Sequence, residues 1–162
     1  MSKKQNHIKP FKQVLGMGLL AGMRSAAAPA LASHILSEHK GPVFRRHPIS
    51  FLSTIAVADM LKVMAVGEFL ADKLPFTPNR TKPISIAVRC LSGALAGAAI
   101  YRVSGKKALT GALLGGLVAG ASTYASFYLR RALSGSGLGN IVSGVIEDAF
   151  VVGAGIKLAQ TV

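Results

Sequence analysis

The chain has 162 residues, about half of them hydrophobic, only 15% charged, with no Trp and a net charge of +13. A soluble domain of this size carries roughly a quarter charged residues, so this composition and a mean hydropathy of +0.46 argue against one. The basic residues sit in short segments between apolar runs, with no recognition motif beside them, which argues against a nucleic-acid partner.

Residues 1–10 read as a basic tail, and 11–162 as one transmembrane helical domain. The first apolar segment, Phe11 to Ser37, is long enough to span but contains Arg24 and Pro29. A helix broken near Arg24–Pro29 is expected. Lys3 to Lys12, Val14 to Met23 and Ala30-Leu31-Ala32 also follow the order of a secretory signal. Arg24 argues against that reading, because it separates the apolar stretch from the supposed cleavage site. After the connection HKGPVFRRHP comes Leu52 to Leu74, helical in pattern and carrying Asp59, Lys62, Glu68, Asp72 and Lys73. The prolines of PFTPNRTKP end it. Ile84 to Tyr101 follows, with Arg89 near its start and expected to snorkel to an interface. The turn SGKK leads to Ala108–Leu129, 22 residues without a charge, stopped by Arg130-Arg131. That length crosses a hydrocarbon core of about 30 Å. SGSGLGN, with Asn140 as a cap, opens Ile141 to Leu158, which holds Glu147, Asp148 and Lys157. The expected fold is all-α, an integral membrane bundle of about five transmembrane helices. Its single cysteine, Cys90, rules out an intrachain disulfide.

Glycines recur at spacing four: Gly18/Gly22, Gly93/Gly97, Gly111/Gly115 and Gly116/Gly120. This spacing lets helix backbones approach closely in lipid, within a bundle or between copies of a homo-oligomer. GLLAGMRS (Gly18 to Ser25) and GLVAGAST (Gly116 to Thr123) share Gly, Leu, Ala and Gly in register. Each precedes a helix with two acids. An inverted repeat of five spans, with the termini on opposite sides, would follow. Loop charge leans toward a cytoplasmic N-terminus.

Five of the six acids fall in apolar helical segments, where a charge needs a partner, a proton or water. Asp59 and Lys62 can pair at i, i+3. Glu68 and Asp72 repel each other at i, i+4 and need an outside cation, for which Arg24 is the natural candidate, with Arg89 and Arg80 next. Arg24 is expected to point into the bundle and pair with Glu68, Asp72, Glu147 or Asp148. A buried site is therefore expected from Arg24, Ser25, Glu68, Asp72, Lys73, Glu147 and Asp148. Thr77, Asn79, Arg80 and Lys82 would touch a phosphate or an anionic lipid headgroup. No nucleophile–base set, phosphate loop or metal-ligand spacing accompanies them, so neither a cofactor nor an enzyme is expected. Acid/base chemistry by the paired carboxylates is the remaining catalytic alternative.

GLLAGMRSAAAPALAS, GEFLADKLPFTPNRTKP, LSGALAGAAIY and IEDAF together resemble the bacterial family catalogued as domain of unknown function 4126. The likeness spans residues 13 to 158, and ADKLPFTPNRT is its most specific part. The resemblance implies a small polytopic protein of the bacterial inner membrane and carries no activity with it. The expected function is transport or permeation of an ion, an anionic solute or a lipid headgroup. A membrane scaffold or partner-binding protein with structural ion pairs is the rival.

Overall fold

A computed structural model describes residues 10–38, 48–71, 82–135 and 140–160. Those residues form six α-helices and one 3-10 turn, with no strand among them. The helices are α1 (Pro10–Met23), α2 (Ala27–Glu38), α3 (Ile55–Ala71), α4 (Pro83–Val103), α5 (Ala108–Gly135) and α6 (Asn140–Gln160), and the 3-10 turn is Pro48–Ser53.

The α4–α5 pair shows why this sequence folds as it does. Pro83 starts α4 at the first helical position, where its missing N–H is no loss. Gly105 ends it at φ +72°. Its N–H bonds the Arg102 carbonyl at 3.1 Å, and the Lys106 N–H bonds that of Tyr101 at 2.8 Å. This is a Schellman closure, and it needs a left-handed residue at that one position. The chain then reverses, and Gly93 and Gly97 of α4 meet Gly115 and Gly111 of α5. A Cβ on Gly93 would lie 2.5 Å from the Gly115 carbonyl oxygen, and one on Gly97 would overlap that of Gly111. The two backbones touch.

α1 lies in the groove of this pair. Val14 packs on Gly97, Gly18 on Val118 and Gly22 on Ser122. Gly116 and Gly120 face Cys90 of α4, so all eight spaced glycines serve packing within one chain and carry no argument for a second copy. The contacts also fix direction, with α1 running parallel to α5 and antiparallel to α4. The two similar stretches, Gly18 to Ser25 and Gly116 to Thr123, lie side by side and parallel. An inverted repeat would set them antiparallel, so the structure corrects that expectation.

The first segment is broken as expected, at residues 24–26, and Pro29 falls in the first turn of α2. α2 turns back rather than continuing. Its Ala28, Ala32, Ile35 and Leu36 share one buried cluster with Val14 and Met17 of α1 and Ala96, Ala99 and Ile100 of α4. α3 runs antiparallel to α2, since the Ser33 hydroxyl bonds the Leu52 carbonyl while Ala26 meets Glu68. On α6, Leu158 lies against Gly16 and Asp148 meets Arg24. Pro10 and Gln160 therefore lie at the same end of the bundle, whereas five spans would place them at opposite ends.

Among the described residues, two helices are long and apolar enough to cross a membrane, Pro83–Val103 and Ala108–Ala132. α1 and α2 have 14 and 12 residues, about 21 and 18 Å at 1.5 Å per residue, which is short of a full crossing. The surface is apolar on several helices: Val63 and Leu70 of α3, Ile84 and Leu91 of α4, Leu109 and Leu117 of α5, and Ile156 of α6 are all more than half exposed. Polar side chains point inward, with Gln13, Arg24, Ser33, Arg89, Ser92, Ser122, Thr123, Ser126 and Glu147 buried.

Candidate functional site

Breaking a helix inside a bundle leaves carbonyls without partners on one side and N–H groups on the other. The sequence supplies a partner to each from a different helix. At the end of α1, the Ser122 hydroxyl donates to the Leu19 carbonyl at 2.7 Å. The Thr123 hydroxyl donates to Gly22 at 3.3 Å. Arg89 donates through Nη1 to the carbonyls of Gly22 and Met23. At the start of α2, the Glu68 carboxylate accepts three hydrogen bonds: from the Ser25 N–H at 2.9 Å, the Ser25 hydroxyl at 2.9 Å and the Ala26 N–H at 2.8 Å. The Ser92 hydroxyl donates to the Ser25 carbonyl. A cation thus sits at a helix C-terminus and an anion at a helix N-terminus, as the macrodipole favours.

Arg24 stands between these two caps, 2% exposed. It forms an ion pair with Asp148, and its Nη1 reaches the Glu68 backbone carbonyl at 3.4 Å. Among the described residues the hub holds two guanidinium groups, Arg24 and Arg89, and two carboxylates, Glu68 and Asp148, whose formal charges sum to zero. Arg89 lies six residues into α4 and Asp148 eight into α6. At 1.5 Å per residue, the hub is about 9–12 Å below one end of the bundle.

The structure brings four of the expected residues together: Arg24, Ser25, Glu68 and Asp148. Arg24 pairs with Asp148, one of the four acids expected for it, while Glu68 is held by N–H and hydroxyl donors at the hairpin tip. One expectation is corrected. Arg89 is 6% exposed and turns inward to α1 instead of snorkelling, because the broken helix offers it carbonyls. Glu147 is buried beside its neighbour Asp148, on another side of α6. Asp59 and Lys62 pair at 3.1 Å on the exposed side of α3, away from the hub. Lys82 is exposed at the start of α4. Asp72, Lys73, Thr77, Asn79 and Arg80 lie outside the described residues. Ser92, Ser122 and Thr123 belong to the hub without having been singled out for it. Their signal was present in the sequence as hydroxyl residues in otherwise apolar helices.

Between α5 and α6, beside the hub, lies a cavity of about 190 Å³ lined by Met23, Ser126, Leu129, Arg130, Ile146, Glu147 and Phe150. No group of three or more His, Cys, Asp or Glu able to hold a metal occurs among the described residues.

One family model, described as Domain of unknown function (DUF4126), matches residues 12–160. No curated protein and no solved structure matches the chain.

Proposed function

The chain belongs to this family, and we propose that it is an integral protein of the bacterial inner membrane that moves a small anion across it, using the tip of the α1–α2 hairpin as the binding site. The membrane reading is supported by the inside-out distribution of side chains. Large apolar residues are exposed on α3 to α6, while Arg24, Arg89, Glu147 and several hydroxyls are buried, as suits a solvent of hydrocarbon. In this arrangement α3 to α6 cross the bilayer. The hairpin enters from the side of the termini and turns back part-way. Lys12, Arg102, Lys106, Lys107 and Lys157 all fall toward the termini end, against Lys82, Arg130 and Arg131 toward the hub end. The excess supports a cytoplasmic side for both termini.

The observation that carries the anion reading is the seat of Glu68. Three donors at a half-helix start hold a carboxylate part-way into the bundle. Broken helices of transporters present such N-termini to anionic substrates. Glu68 is then a tethered competitor. An incoming carboxylate of the same size takes the donors of Ser25 and Ala26, and Glu68 leaves them. The hub stays neutral when the displaced Glu68 takes up a proton, so anion and proton move together.

The test is uptake of labelled formate and acetate into proteoliposomes under an imposed proton gradient. Wild type is expected to take up anion with the gradient. Arg24→Gln should abolish uptake, and Glu68→Gln should uncouple it from the gradient. Wild-type uptake no greater than that of empty liposomes would remove the transport reading. The rival scaffold reading is favoured by the pairing of Glu68, Asp148 and both arginines within the chain. It predicts that the same variants lose assembly and that no flux occurs.

A further inference from the structure

The cavity between α5 and α6 is not needed by the hub, and its shape and chemistry point elsewhere. We propose that it holds one acyl chain of an anionic phospholipid whose phosphate rests on Arg130. This rests on the membrane reading above and is independent of anion transport.

Three observations carry it. First, size: 190 Å³ exceeds the roughly 150 Å³ of an engineered apolar cavity that admits benzene, so a stretch of several methylenes fits. Second, the wall is almost wholly carbon, to which Arg130 and Glu147 contribute mainly their aliphatic stems. The rim residues Leu129, Ile146 and Phe150 are at least half exposed, so the cavity opens on the side that lipid would cover. Third, the polar end is at the right level. Arg130 directly follows the 22 uncharged residues of α5, and its guanidinium lies over Gly144 of α6. A guanidinium there meets the phosphate layer. Its flat donor array suits a phosphate oxygen pair. From that level the lining descends through Leu129 and Ile146 to Ser126 and Phe150, the direction an acyl chain takes from its headgroup. The chain's inner end would meet Met23, the last residue of α1, and α6 beside Asp148. Lipid occupancy therefore bears on the two elements that the Arg24–Asp148 pair joins.

The experiment is lipid retention. The full-length protein is purified in detergent from bilayers of equal phosphatidylglycerol and phosphatidylcholine, and the co-purifying lipid is measured by mass spectrometry. Wild type is expected to keep about one phosphatidylglycerol per chain, several-fold over phosphatidylcholine. Ser126→Leu fills the cavity and should lose the lipid. Arg130→Gln should lose the preference. Arg131→Gln, outside the lining, should keep both. Monodisperse elution and unchanged helical content confirm that each variant is folded. Equal retention of the two lipids by wild type, or retention unchanged in folded Ser126→Leu and Arg130→Gln, overturns the pocket. Recovery of the protein in the soluble fraction before any detergent is added overturns the membrane reading and the pocket with it.

Discussion

Replacing Glu68 by alanine removes an anion that three donors hold, and its cost can be worked from the hub. Each hydrogen bond to a charged group contributes about 1.5–3 kcal/mol net. The carboxylate is only partly buried, and water can reach some of the orphaned donors, so a loss of about 3 kcal/mol is expected. For a chain of this size that lowers the apparent Tm by roughly 6–12 °C. The variant also leaves a carboxylate-sized gap facing the Ser25 and Ala26 N–H groups, with one unbalanced positive charge. Formate should fill it. At ten times its Kd, a ligand returns about 1.4 kcal/mol, or roughly 3–6 °C. The assay is thermal unfolding in detergent with formate titrated at constant ionic strength and chloride as the control anion. Wild type should respond less, because formate must first displace Glu68. A Glu68→Ala variant within about 1 °C of wild type, or one stabilised equally by chloride, would refute the reasoning that Glu68 occupies an anion seat.

Asp148→Asn leaves Arg24 buried without its counter-ion, and breaking such a pair costs about 3–5 kcal/mol. The double variant Arg24→Met with Asp148→Leu should recover more than half of that loss in the same unfolding assay. Gly97→Ala places a methyl group on the Gly111 carbonyl and should abolish a stable fold, seen as aggregation on size-exclusion chromatography. Gly153→Ala meets no atom within 4 Å and should be neutral or stabilise by up to about 1 kcal/mol. Arg89→Met removes the cap of α1 and should increase protease cleavage around residues 24–26. Single cysteines at positions 2 and 161 in a Cys90→Ser background should label from the same side of the membrane. Labelling from opposite sides would contradict the shared end of Pro10 and Gln160.

Helix positions were legible because apolar runs and breakers set them. Ala108, where α5 begins, and the break after Met23 both follow from residue types alone. The direction of α2 was not legible. Nothing local distinguishes a helix that resumes after Arg24 from one that turns back. The decision rests on burying Ile35 and Leu36 in the same cluster as Ile100, more than 60 residues away in the chain. That Arg24 pairs with an acid followed from the cost of a lone intramembrane charge. Which acid it takes depends on α6 packing against α1. The likeness of GLLAGMRS to GLVAGAST reflected a shared packing demand. Both stretches must present small residues to a neighbouring backbone, and the repeat of that demand imitates a repeat of structure.

The Arg24–Asp148 pair also sets an order in time. The two residues are 124 positions apart, and ribosomes add about 5–20 residues per second. The hairpin therefore waits roughly 6–25 seconds for its counter-charge; under the proposed membrane function, its arginine cannot settle in hydrocarbon without cost during that time. The α4–α5 groove that receives α1 is also made only after the hairpin has emerged. The first segment of the chain is thus among the last to reach its final place, and a nascent protein cut short before α6 should leave its N-terminal hairpin outside the bilayer core.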